Sequence, residues 1–388
     1  MRQLPKITSA FLNLTNACNL ACRYCFVEQN PKRMTLDTAI DAADWLAKNA
    51  GNSDTPAINY FGGEPLLMFD AIIRPLTEYI RQRYGLHYML SITSNCTLMD
   101  EKIVAFLSAN KVGLLLSMDG DKPSQDWNRP MRNGGSSFDV LDLKLPMLIE
   151  HFPDLTFRST VTPRTANELY RNALYAEKKG FRYWFTMPNY FETWTEQDIA
   201  VLHEQMRLYQ EHYIDRMRDG KRPILFTHME QFFHRIVQRN QTIQNDVRRP
   251  NSICSSCVKC GLGASRFAGI NINGDVLACQ EMFSHELDDL FLIGNIHTGI
   301  DDARREQLCS MWDSKHGYSS SCEKCPLDRI CDGGCVANNY LASGDIHRSP
   351  EIACEWNRIL FATAVNIMQT LGSEQNEKFK ERWDLYVR

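Results

Sequence analysis

An α/β fold is what this sequence predicts: a parallel sheet built from repeated strand–helix units, followed by a smaller cysteine-rich region. Three observations lead there. Six apolar, strand-like runs alternate with helical segments up to about residue 190. Three thiols fall in one short loop, Cys18-Asn19-Leu20-Ala21-Cys22-Arg23-Tyr24-Cys25. Of the fourteen cysteines, ten are confined to positions 254 to 354.

The chain has 388 residues, more than one ordinary core holds, which suggests two domains or a barrel of roughly 200 to 250 residues with an appendage. A hydrophobic content of 44% and a charged fraction of 23% are those of a soluble globular protein. The net charge of -4 argues against a dedicated nucleic-acid binder. No apolar run reaches the length of a membrane span, and Met1 to Lys6 lack the apolar stretch of a secretory signal, so a cytoplasmic protein is expected. In such a chain many cysteines point to metal or redox chemistry rather than to disulfides.

The strand-like runs are Ile7 to Leu14, Ala57 to Phe61, His87 to Thr93, Val112 to Met118, Leu155 to Val161 and Phe181 to Met187. Between them, Thr35 to Ala50, Asp70 to Tyr84, Asp100 to Asn110, Phe138 to His151 and Asn167 to Lys178 have helical spacing. Right-handed crossovers make the sheet parallel, either doubly wound or curled into part of a barrel, with functional groups at the carboxyl ends of the strands.

That rule selects particular loops. The first strand leads into the cysteine loop, whose sulfurs can converge on a metal centre; three ligands hold an iron-sulfur cluster and leave one iron open. The second leads to Gly62-Gly63-Glu64-Pro65, where paired glycines admit a ligand to the backbone and a carboxylate can bind an amine. Thr93-Ser94-Asn95 follows the third strand and Ser117-Met118-Asp119-Gly120 the fourth, while the fifth carries Arg158-Ser159-Thr160.

Thr195 to about Asn245 reads as a bridging pair of amphipathic helices without chemistry. Beyond it lie Cys254, Cys257 and Cys260, and an Asn273-Gly274 pair that signals a hairpin bringing Cys279 back toward Cys260. Cys322, Cys325, Cys331, Cys335 and Cys354 come next, whereas Cys309 sits in a helical run and Cys96 is expected buried and inert. The tail from Glu355 is expected to be a packing helix.

Together, CxxxCxxC and GGEP after the second strand resemble the radical S-adenosylmethionine (SAM) superfamily, which implies a partial (β/α)6, TIM-like barrel over about Ile7 to Met187. The resemblance implies that Cys18, Cys22 and Cys25 bind three irons of a 4Fe-4S cluster, with SAM on the fourth. It places Tyr24 near the adenine, Gly62, Gly63 and Glu64 at the methionine amino group, and Asn95 in the family's Thr-Asn-Gly turn, with Cys96 replacing the glycine. Ser117 and Asp119 would meet ribose and methionine, and Arg158 or Arg132 the methionine carboxylate. A reduced cluster of low potential then cleaves SAM, and the 5'-deoxyadenosyl radical abstracts hydrogen from a substrate.

The second cysteine region resembles the SPASM extension of peptide-modifying members: Cys260, Gly274 to Cys279, Cys322, Cys325, Cys331, Cys335 and Cys354. This implies two auxiliary clusters, making three 4Fe-4S clusters in all. Cys254, Cys260, Cys279 and Cys335 would hold one, with Cys257 as the alternative to Cys254, and Cys322, Cys325, Cys331 and Cys354 the other. The expected division is a barrel with bridging helices over 1–235 and a SPASM domain with its C-terminal helix over 236–388.

The implied function is oxidative crosslinking, through a thioether or carbon-carbon bond, of a ribosomally made peptide. Formylglycine formation in sulfatases is the runner-up: sulfatase-maturing members carry aspartate after the cysteine of Gly-x4-Cys, and here Gln280 stands there with Glu281 next, leaving Glu281 as candidate base. A non-catalytic iron-sulfur carrier and a zinc-binding protein are the readings from other classes. Expected partners are the peptide or protein substrate and a reductant such as flavodoxin or ferredoxin. With the first strand starting by Ile7, a separate leader-binding partner is the alternative to recognition by the barrel and SPASM surfaces.

Overall fold

The computed structural model describes residues 4–387 except 53, 245–259, 264, 284–288, 314–321, 323–324, 328–329 and 332. Each of the six expected strands is present: β1 (Ser9–Thr15), β2 (Ala57–Gly62), β3 (Met89–Ser94), β4 (Val112–Ser117), β5 (Thr156–Val161) and β6 (Tyr183–Pro188). They pair in parallel and in chain order. A doubly wound sheet reverses its strand order at a switch point, so that alternative is set aside. The winding is the single-direction one that a partial barrel requires.

Alternation along each strand decides which side chains reach the site. In β5, Phe157, Ser159 and Val161 are buried, whereas Thr156, Arg158 and Thr160 point to the opposite face. In β6, Trp184 and Thr186 are buried and Phe185 and Met187 share the other face. The connecting helices are α1 (Leu36–Ala50), α2 (Arg74–Tyr84), α3 (Glu101–Ala109), α4 (Lys122–Asn128), α5 (Ser137–Asp142), α6 (Leu145–His151) and α7 (Leu169–Lys179). Helix α4 was not expected. The run expected as one helix over 138–151 is split, because Pro146 lacks the N–H that would continue the ladder and its ring crowds the carbonyl of Asp142.

Helix α8 (Glu196–Arg218) starts at a capping box in which Thr195 and Asp198 exchange hydrogen bonds, and buries Leu202, Met206, Tyr209 and Tyr213. Strand β7 (Leu225–Phe226) then adds to β6 and leads into α9 (Thr227–Gln244). At the other edge β8 (Phe267–Ile270) pairs in parallel with β1, and β9 (Asp275–Leu277), β10 (Leu292–Asn295) and β11 (Gly299–Ile300) continue antiparallel. The cysteine-rich region thus extends the same sheet, and the Asn273-Gly274 hairpin is present between β8 and β9.

Helices α10 (Asp302–Asp313) and α11 (Val336–Ser343) follow, and α10 keeps Cys309 buried. The tail is α12 (Glu351–Ser373), packed on α8 and α9, and α13 (Glu377–Val387), whose Phe379 meets Phe233 edge-on at 6.0 Å. Among the described residues no helix is long and apolar enough to cross a membrane.

Candidate active site

The cysteine loop is fixed from below by the turn after β2. Gly63 N–H donates to the Thr15 carbonyl at 2.7 Å and Glu64 N–H to the Ala17 carbonyl at 2.9 Å. A Cβ on Gly62 would sit 2.3 Å from the Thr15 carbonyl oxygen, and one on Gly63 2.3 Å from that of Ala17. These glycines, expected to admit a ligand, are required first by backbone packed on backbone.

Glu64 is 1% exposed, and its carboxylate accepts from Leu66 N at 3.0 Å, Ser94 Oγ at 2.8 Å and Asn95 N at 2.9 Å. Its side chain thereby latches the β2 turn to the end of β3. Burial pushes its carboxyl up to about 7, although those three donors oppose the shift. Because the neutral form is favoured in the fold, stability is full near pH 4.5 and falls as pH rises toward 7. Urea unfolding of the metal-free protein is expected to lose about 3 kcal/mol across that window, a limb absent from Glu64→Gln.

At the end of β3, Asn95 reaches the loop, its amide 3.9 Å from Cys18 Sγ and 3.0 Å from Asn19 Oδ1. Cys96 is buried with φ +55°, the left-handed conformation in which the family's glycine is at ease.

The loop's other flank runs antiparallel to residues 128–132. Leu20 bridges Met131, Ala21 N–H donates to the Pro130 carbonyl at 2.8 Å and Arg23 N–H to that of Asn128 at 3.0 Å. Behind this ladder lies a triad of half-buried Tyr24 with buried Asp119 and Arg129. Tyr24 Oη donates to the Asp119 carboxylate, which pairs with Arg129 at 3.1 Å and accepts from Thr160 N at 2.9 Å. Asp119 is therefore engaged within the wall.

Arg129, which the sequence reading missed, sets its guanidinium 5.3 Å from the Tyr24 ring and lowers the Cys22 thiol, against the larger upward push of burial. Its sequence signal was faint: an arginine beside Pro130, beyond a helix that was not foreseen.

These elements enclose one cleft. Cys18, Cys22, Cys25, Tyr24, Gly62, Gly63, Glu64, Asn95, Ser117, Arg158 and Glu281 all line it. Arg132 does not; it is exposed, with Nε 2.9 Å from the Cys18 carbonyl. Phe26, Phe61, Met187, Tyr190 and Phe191, unassigned from sequence, form an apolar and aromatic rim.

The chemistry of the thiols suits a metal centre. Burial pushes Cys18 up to about 12 and Cys22 up to about 11, so neither is a free nucleophile at neutral pH, and a metal must displace the proton. Cys18 feels both Cys22 and Cys25, and Leu20 N–H donates to its sulfur at 3.4 Å. Among the described residues no three ligating side chains converge on a single ion position. In a cubane each thiolate takes its own iron.

The cysteine-rich region holds two further thiol groups, the first of them beside Glu281 of the cleft. Cys279 is buried, pushed well up by burial and then by Glu281, with smaller effects of Cys335 and Cys260. Cys354, pushed up to about 11 mainly by burial, feels Cys331, Cys322 and Cys325 instead. Cys335 and Cys260 thus neighbour Cys279, and Cys322, Cys325 and Cys331 neighbour Cys354, whereas Cys254 and its alternative Cys257 lie outside the described residues. Tyr190 at the rim stands near both groups, its hydroxyl raised by burial and then by Cys335 and Cys354.

Glu281, two residues after Cys279, faces Arg158 across the cleft: burial raises its carboxyl and the guanidinium opposes that shift. Gln280 holds it by an amide donating at 3.2 Å.

The sequence profile of the radical SAM superfamily matches residues 12–206. The cysteine-type anaerobic sulfatase-maturating enzyme of Clostridium perfringens is 26% identical over 189 residues, 46% of this chain and 51% of that enzyme. The chain thus spans about half the length of that curated relative. The structure of anSMEcpe with bound AdoMet and the Cp18Cys peptide superposes with a TM-score of 0.73 at 19% identity, over 94% of this chain and 99% of that one. Streptococcus suis SuiB bound to precursor peptide SuiA gives 0.62 at 15%, over 90% and 76%. Both structures share the fold.

Proposed function

Since the chain belongs to the radical SAM superfamily, whose profile covers half of it, we propose that it oxidises a side chain of a peptide or protein, joining it by a thioether or carbon-carbon bond. The observation that carries this reading is one cleft lined by Cys18, Cys22, Cys25, Gly62 to Glu64, Arg158 and Glu281, with Cys279 beside Glu281. When bound, a low-potential cluster and SAM supply the means to remove hydrogen from an unactivated carbon. In this proposal Cys18, Cys22 and Cys25 hold that cluster.

The backbone of Gly62 and Gly63 receives the amine of SAM, because the carboxylate of Glu64 is already engaged. Arg158, with burial weakening its hold on its proton, takes the SAM carboxylate, and Tyr24 and Ser117 close the adenosine side. Phe26, Phe61, Met187 and Phe191 exclude water from the peptide side chain. Cys260, Cys279 and Cys335, with Cys254 or Cys257, and the set Cys322, Cys325, Cys331 and Cys354 hold auxiliary clusters, making three with the first. The same reading divides the chain into 1–235 and 236–388, with a flavodoxin or ferredoxin as electron source.

A second reading, formylglycine formation, is favoured by Glu281. It stands in the cleft beside the Gly-x4-Cys cysteine, where a base can take the proton that the oxidised side chain releases. Mass spectrometry of candidate peptides incubated anaerobically with SAM and reductant separates the outcomes. Loss of two hydrogens with sulfur retained supports the crosslink, an aldehyde at Cys or Ser supports formylglycine, and an unmodified peptide with SAM consumed contradicts both. Glu281→Gln is expected to lower peptide oxidation by about 10²- to 10⁴-fold while SAM cleavage persists.

A further inference from the structure

The register of the cysteine loop singles out one residue across from it. Leu20 bridges Met131 in the antiparallel ladder, while Ala21 N–H donates to the Pro130 carbonyl and Arg23 N–H to that of Asn128, so Cys22 stands opposite Arg129. Those two bonds flank the facing residues without joining them, the arrangement that brings side chains closest across a ladder. Both side chains line the cleft. Arg129 is 8% exposed, and its guanidinium acts on the Cys22 sulfur through its charge and a side-chain hydrogen bond.

Arg129 is not a lone cation. It pairs with Asp119 at 3.1 Å, and Gln125 fixes both partners: its main-chain carbonyl accepts from Arg129 N–H and its side-chain oxygen from Asp119 N–H, each at 2.8 Å. The carboxylate also accepts from Tyr24 Oη and from Thr160 N at 2.9 Å. The pair presents its positive end to the loop, since the guanidinium lowers the Cys22 thiol more than the carboxylate raises it. Buried and tied at both partners, it is a fixed dipole where screening is weak.

We infer that Arg129, held by Asp119, sets the reduction potential of the cluster carried on Cys22. A 4Fe-4S cluster gains one negative charge on reduction, so a cation or a donor at its thiolates favours the reduced form. Arg129 thereby eases uptake of the electron that SAM cleavage consumes, and Asp119 limits the effect. Arg129 acts through the sulfur and is a positioning residue, not a ligand. The inference rests on the proposed function, in which Cys22 binds an iron.

The test is a redox titration of the iron-loaded protein without SAM, followed by electron paramagnetic resonance, in which the signal that Cys22→Ala lacks identifies the cluster on this loop. At the parent's midpoint potential, Arg129→Gln is expected to lower the ratio of reduced to oxidised cluster at least about threefold and Asp119→Asn to raise it, with Arg129→Lys close to the parent. A merely structural role would move the Gln and Asn variants in the same direction. A smaller fall in Arg129→Gln, or no rise in Asp119→Asn, overturns the inference. Should Arg129→Gln load no iron, the direction of the Asp119→Asn shift decides alone, and failure of all three variants to load iron overturns the inference as well. A parent with no signal that depends on Cys22 contradicts the proposed function instead.

Discussion

Alanine in place of Gly63 is expected to cost about 3 kcal/mol or more of stability and to abolish iron loading. The added methyl would stand 2.3 Å from the Ala17 carbonyl oxygen and 2.8 Å from that of Asn16, both backbone atoms that no side-chain rotation can move aside. Relief requires the turn to lift away from the loop, breaking the bonds to Thr15 and Ala17 that set Cys18 in place. Urea unfolding of the metal-free protein reads the first effect, and iron content after anaerobic reconstitution the second. A variant of parental stability that loads iron normally would show that the turn does not position the loop.

The second large effect is a contrast between thiols. Cys22→Ala is expected to eliminate SAM cleavage, because Cys22 is the half-buried central member of the loop, with Arg129 beside it. Cys325→Ala removes a thiol that neighbours Cys354 and does not line the cleft, and is expected to retain SAM cleavage while losing peptide oxidation. Measuring 5'-deoxyadenosine and peptide product in the same samples checks both. Equal loss of SAM cleavage in the two variants would contradict a division of labour between the thiol groups.

Most of the sheet was legible because β/α alternation writes itself as apolar runs separated by helical spacing. All six strands fall within about two residues of expectation. Short α4 was missed, since seven residues with Pro123 at the start carry too little periodicity to stand out. The two-residue β7 has no signal of its own, and its pairing with β6 is decided by packing.

The site divides in the same way. Contiguous motifs announced the cysteine loop, the GGEP turn and Glu281, whereas the work of Glu64 became visible only with Ser94 and Asn95 in place, thirty residues away in sequence. Arg129 escaped notice because its importance lies in burial beside Asp119 and Cys22, which no local pattern encodes. Arg132, three residues closer to an obvious loop motif, drew the assignment instead and faces outward.

The most direct test is chromatography of SAM products after anaerobic reconstitution with iron and sulfide and reduction with dithionite. The protein is expected to bind about twelve irons, three clusters of four, and to release 5'-deoxyadenosine and methionine from SAM. An iron-loaded, reduced protein that leaves SAM intact would contradict the account.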